Sequence, residues 1–189
     1  MNLALVLFVF ASQLFNGGLS YSGGNLPASL VCKDLKPGPP HGANQVSQKD
    51  DLDPPFLVTA NKQESGFVLV NIGVDASRFP NRRFKGLFLM AEAHDQKGHG
   101  YFVPLKESKE LIRPFNCPDL PNCEDKAECQ GTANAVVHLS AEPKSNVTAL
   151  WFPPSSMAGE ITFVATIVER NDDKGSIWFE NITSLPIFV

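Results

Sequence analysis

Four cysteines, four histidines and one short run of cations are the side chains here with chemistry to offer. Cys117, Cys123, Cys129 and His138 would make a thiolate–imidazole zinc set. However, five residues separate each thiol from the next, which is not a zinc-knuckle spacing. His94, His99 and His138, with Asp95 beside the first, form a second conceivable metal set. Lone histidines at strand ends serve more often as turn or hydrogen-bonding residues, so no metal and no cofactor is expected. Nucleophile elbow, phosphate loop, His-Glu-x-x-His and paired carboxylates are all missing from the sequence. Gly98-x-Gly100 reads as a turn, because no strand-to-helix phosphate cradle surrounds it. Binding is therefore the expected chemistry, and an enzyme is not.

The stretch most suggestive of a partner is Arg78-Phe79-Pro80-Asn81-Arg82-Arg83-Phe84-Lys85. Arg78, Arg82, Arg83 and Lys85 concentrate positive charge in a chain of net charge −4. Guanidinium groups beside aromatic rings suit anionic glycans or lipid phosphates, which they bind through paired hydrogen bonds. A solvated loop entering a strand is the plainer reading of the same run. The mild overall acidity excludes a dedicated nucleic-acid binder, which would carry a basic footprint. Trp151 and Trp178 sit inside apolar runs and are expected in a core, not on a sugar-stacking platform.

The compartment follows from the first residues. Leu3 to Phe15 is almost unbroken apolar sequence, followed by Gly17, Gly18 and Ser20. That is the layout of a secretory signal peptide over residues 1–20, with Tyr21 as the first mature residue, although no Lys or Arg precedes the apolar run. The run is shorter than a membrane span, and no later stretch is long enough to be one. A secreted, extracellular protein with one domain over residues 21–189 is expected. In that setting an even set of cysteines predicts disulfides. Four cysteines allow three pairings; the spacing of Cys117 and Cys123 suits a local loop, which would leave Cys32 to join Cys129. Asn146-Val147-Thr148 and Asn181-Ile182-Thr183 are glycan acceptor triplets, with Asn146 favoured because Lys144-Ser145 precede it in a polar turn.

The positioning elements read as strands. Phe84 to Ala93 is too apolar for a surface loop, and Pro80 and Gly86 argue against a helix. It predicts a buried strand with large side chains on both faces, needing another sheet over it. Similar runs occur at Phe56–Ala60, Phe67–Val74, Tyr101–Val103, Ala135–Leu139, Val147–Phe152, Ile161–Val168, Ile177–Ile182 and Ile187–Val189. Their β-branched content and turn punctuation predict an antiparallel sandwich or barrel. Leu30-Val31-Cys32 is expected as an edge strand in a loose, cysteine-tethered N-terminal arm, and Glu107–Ile112 as one short helical turn.

Several of these pieces, in this order, resemble the reeler domain family. They are Tyr21-Ser22-Gly23-Gly24, Cys32-x-x-Leu35-x-Pro37 with Pro40-His41-Gly42, Phe84-Lys85-Gly86-Leu87-Phe88-Leu89-x-Ala91, Val147-x-x-x-Trp151-x-x-Pro154 and Gly159-x-Ile161-x-Phe163-x-Ala165-Thr166. The resemblance covers nearly all of the mature chain, which looks like a stand-alone reeler protein, similar to the secreted insect-type members. It implies an all-β, immunoglobulin-like antiparallel β-sandwich and a non-enzymatic role in immunity or defence. Its implied partners are microbial surface polysaccharides or lipids, or a blood-cell surface. The alternative is an extracellular adhesion or matrix module that binds a protein partner.

Overall fold

The computed structural model describes residues 28–37, 45–47, 54–93, 96–118, 133–155, 157–172 and 175–189. The leader read above lies outside that set, as do His94, Asp95, Cys123 and Cys129. The described residues run through helix α1 (Ala28–Asp34), then strands β1 (Gln45–Ser47), β2 (Phe56–Lys62), β3 (Val68–Val74) and β4 (Gly86–Ala93). They continue with β5 (Gln96–Lys97), β6 (Tyr101–Pro104), β7 (Ile112–Phe115), β8 (Ala135–His138) and β9 (Asn146–Phe152). The last three are β10 (Glu160–Asp172), β11 (Gly175–Thr183) and β12 (Ile187–Phe188).

Two sheets result. The larger has the order β1-β11-β10-β4-β8-β7, with β12 added to β10 and β5 to β4; the smaller is β2-β3-β9-β6. Every pairing is antiparallel except β1 with β11, which is parallel. The expected antiparallel β-sandwich is what forms, and each apolar run from Phe56 onward named above becomes a strand within it.

The period of two in β4 explains why it sits at the centre. Leu87, Leu89, Ala91 and Ala93 face the smaller sheet and join one core with Phe56, Val70, Trp151 and Phe163. Phe88 and Met90 face the other way, into a second cluster with Val137 and Val164. An antiparallel sheet usually leaves its outer face wet; here α1 covers it.

That helix replaces the edge strand expected at Leu30-Val31-Cys32. Ala28, Val31, Cys32 and Leu35 follow helical spacing and all pack onto the outer face of the larger sheet. Seven residues are too few to hold a helix in water alone, so this tertiary burial supports it. Leu35 ends the helix in the left-handed region at φ 53°. Its N–H donates to the Val31 carbonyl at 3.0 Å, its side chain is buried, and Thr166 Oγ1 donates to its carbonyl. A non-glycine residue tolerates that backbone, at a cost of about 1–2 kcal/mol, because burial offsets it.

The cysteine pairing also differs from the expectation. Cys32 is bonded to Cys117, not to Cys129, so Cys117 is not available to Cys123. The topology gives the reason. β7 ends just before Cys117 on the edge of the larger sheet, and α1 lies over the same face, which brings the two α-carbons to 5.6 Å. Closeness in sequence favoured Cys123; the sheet placed Cys32 there instead.

Three further strands, β1, β5 and β7, were not foreseen. β7 contains Pro114, and proline is admissible there because β7 is the last strand on its side of the sheet. β5 pairs antiparallel with β4. Residues 106–111 form consecutive turns, closed by Ile112 N–H on the Ser108 carbonyl, before β7 starts.

The turn at Gly98-His99-Gly100 is confirmed and carries a prediction. Gly100 has φ 66°, and a β-carbon there would lie 2.3 Å from the Phe152 carbonyl and 2.6 Å from Trp151 Nε1. Trp151, fully buried, donates its indole N–H to the His99 carbonyl at 2.8 Å, so the turn is the lid over the core tryptophan. Gly100→Ala should cost at least about 2 kcal/mol in urea titrations and shift the tryptophan emission. A change within about 0.5 kcal/mol, the size of a neutral surface substitution, would show that the turn yields without loss.

Candidate functional site

The segment between β3 and β4 holds the four cations singled out from sequence, and Asp75 builds it. The Asp75 carboxylate accepts from Ser77 N–H (3.2 Å), Ser77 Oγ (2.5 Å) and Arg78 Nε (2.5 Å). Its carbonyl accepts from the N–H groups of Arg78 and Phe79. The Arg78 guanidinium lies 5.1 Å from the centre of the Phe79 ring, so its charge is shared between a carboxylate and an aromatic face. Arg82 reaches across to β10, where Nε and Nη2 meet Glu169 Oε1 and Oε2 at 2.5 and 2.6 Å. Nη2 donates to Oε2 in a charge-assisted hydrogen bond, and the close Nε approach to Oε1 is an ion-pair contact without a second hydrogen bond.

The other two cations differ. Arg83 is exposed and uses Nη1 on the carbonyls of Pro80 and Arg82. Lys85 is half-buried at the entrance to β4. Among the described residues no carboxylate pairs with either. The four candidates are thus gathered at one corner of the sandwich, but two are neutralised and only Arg83 and Lys85 offer charge to a ligand.

A residue that sequence reasoning left in a polar turn anchors this corner. Lys144 is buried, and its Nζ donates to the carbonyls of Lys85 (2.9 Å), Ser140 (2.6 Å) and Glu142 (2.7 Å). Its backbone exchanges both hydrogen bonds with Phe84. Burial pushes the ammonium down from 10.5 to about 8, against the opposing pull of the Glu142 carboxylate. Three donors on three carbonyls tie the chain leaving β8 to the chain entering β4. Only the apolar flank Phe84 hinted at it; the lysine itself carried no signal.

Among the described residues the metal candidates are dispersed or committed elsewhere. His138 is buried beside Leu87 at the start of β4, with Nδ1 3.3 Å from the Leu87 nitrogen. His99 lies toward the far end of the same strand, where Gly98 N–H reaches the Ala91 carbonyl. Cys117 is spent in the disulfide, which removes it from the thiolate set. Trp151 and Trp178 are both buried, as expected for core residues.

The smaller sheet turns a second surface outward. Its alternate residues carry no acid and no cation. At one end, Phe67, Phe152 and Tyr101 form a row in which Tyr101 stacks on Phe152 at 4.8 Å and 7°. Leu69, Leu150 and Val103 form the next row, in register. At the other end Leu57, Gly73 and Asn146 lie side by side across three strands. Leu57, Tyr101 and Val103 are among the most exposed large apolar residues. Both glycan-acceptor asparagines are exposed: Asn146 opens β9, and Asn181 sits at φ 58° in a bulge of β11 against β10. No helix of the described residues is long and apolar enough to cross a membrane.

Comparison with known proteins gives a family model, described as Reeler domain, that matches residues 30–189. Among curated relatives, "Putative ferric-chelate reductase 1" of Danio rerio is 30% identical over 174 residues, 88% of this chain but 25% of that protein. This chain therefore spans a quarter of that relative's length. "Defense protein l(2)34Fc" of Drosophila melanogaster is 25% identical over 166 residues, which are 86% of this chain and 87% of that one. Among solved structures, the human F-spondin reeler domain superposes with a TM-score of 0.51 at 13% identity, over 76% of this chain and 94% of that one. That likeness speaks for the fold alone.

Proposed function

This chain belongs to the reeler domain family, and on that premise we propose that it is a secreted, non-enzymatic immune or defence protein. It would bind microbial surface glycans or lipids through the basic corner at Arg83 and Lys85. The observation that carries this reading is the relative of matching extent, which is named a defense protein. The apolar run at residues 3–15 and the Cys32–Cys117 bond support export, since such bonds persist in oxidising compartments.

The corner has the chemistry for the task. Arg83 is exposed beside a hydrogen-bonded loop, so a phosphate or sulfate can approach it without first breaking an ion pair. Arg82 plays a different part: its ion pair with Glu169 ties the loop to β10.

Binding of the oxidised protein to lipopolysaccharide or lipoteichoic acid tests this directly. Arg83→Ala with Lys85→Ala should weaken it about tenfold, the scale of one lost charge-assisted hydrogen bond. Raising salt from low to high should weaken it too, because exposed charges are screened. Binding indifferent to both changes would remove the basic corner as the site. Saturable capture of a host protein, with no affinity for microbial surfaces, would instead favour the adhesion or matrix alternative.

A further inference from the structure

The outward face of the smaller sheet is the surface the basic corner leaves unexplained. An exported protein with Leu57, Tyr101 and Val103 each more than two-fifths exposed on one sheet has apolar area to cover. The same face carries its own acceptor. Asn146 is in register with Gly73, and Gly73 with Leu57. Gly73 has no side chain, and a β-carbon there would come within 3.0 Å of Asn146 Oδ1. The asparagine side chain is exposed, yet its Oδ1 sits over the glycine, in the space a side chain there would take.

We infer that Asn146 carries an N-linked glycan that lies along this face and covers it. The attachment nitrogen belongs to the amide whose oxygen sits over Gly73, so the first sugar starts from this face. Leu57, one strand beyond Gly73, then meets the apolar side of that sugar. Phe152 is six residues further along β9, roughly 20 Å at strand spacing, within reach of a branched core glycan. The match in charge fits as well. A neutral, hydroxyl-rich chain meets a face with no acid and no cation, where Asn71 offers its amide nitrogen and Tyr101 a ring. An anionic lipid or polymer would find no counter-charge there. Asn181 has no such setting, since its exposed bulge lies on the other sheet.

This inference rests only on the export part of the reading above. The test uses protein secreted by insect cells and kept folded throughout. Glycopeptide mapping should find Asn146 occupied. Trimming that glycan enzymatically to its first sugar should raise the fluorescence of an added apolar dye several-fold, and Tyr101→Ser with Val103→Ser should cancel most of the rise. Asn146→Gln should behave like the trimmed protein, and the trimming arm stands even if that variant folds poorly. A secreted chain glycosylated at Asn181 but not at Asn146 overturns the inference while leaving export intact. Trimming that changes nothing overturns it too. So does trimmed protein that dimerises without taking up dye, which would identify a second copy as the occupant of the face.

Discussion

Replacing Cys32 and Cys117 together by Ala is expected to lower the free energy of unfolding by about 4–5 kcal/mol and the melting temperature by about 10–15 °C. The bond closes a separation of 85 residues, and chain-entropy arithmetic assigns a loop of that length a cost of that size in the unfolded state. The structural consequence should be local as well as global. α1 has one apolar stripe and seven residues, so without the bond its docking is the weakest part of the fold. Faster hydrogen exchange in α1, and at Phe88 and Met90 beneath it, should accompany the loss. A double variant within about 1 kcal/mol of the parent would mean that packing alone holds the helix, since that is all a short apolar stripe is expected to supply over its own ordering cost.

Lys144→Met should cost about 3 kcal/mol, since it leaves the carbonyls of Lys85, Ser140 and Glu142 without their buried donor. Methionine has similar length and apolar character, so the loss reports the hydrogen bonds and not a cavity. The pH dependence has a definite sign. Burial holds the folded pKa near 8, below the ordinary 10.5. Between those values the unfolded chain binds more protons than the folded one, so the parent gains stability as pH rises from 8 toward 10. The Met variant lacks this gain, and the gap between the two should widen over that window. Urea midpoints at pH 7, 8.5 and 9.5 measure it; a gap that narrows would mean that the three carbonyls outweigh desolvation. Because Lys144 holds the Lys85 carbonyl, the variant should also loosen the basic corner and weaken binding there.

How much of this was legible depends on where the deciding interaction lies. Strands such as Ile161–Val168 announce themselves, because β-branched residues suit a pleated, buried surface whatever surrounds them. The dual-faced burial of Phe84–Ala93 was legible for the same reason: only a strand covered on both sides can hold Phe88 and Leu89 together. α1 was not, because its stripe of Ala28, Val31, Cys32 and Leu35 becomes a helix only when the outer face of the larger sheet lies beneath it. The cysteine partner of Cys32 was hidden likewise, since spacing along the chain says nothing about which sheet edge the chain returns to. At the candidate site the cations themselves were visible in the sequence, but their neutralisation was not. Asp75 lies three residues from Arg78, whereas Glu169 lies 87 from Arg82 and is brought there only by the pairing of β10 with β4. Lys144 looked like any polar turn residue, and only the topology makes it a buried tie.

The measurement that bears most directly on the proposal of an exported sandwich latched by sulfur is peptide mapping, without reductant, of protein collected from the culture medium. A mature chain beginning at Tyr21 with Cys32 joined to Cys117 is the expected result. Protein retained inside the cell with its leader attached, or Cys32 found as a free thiol or joined to Cys129, would contradict it.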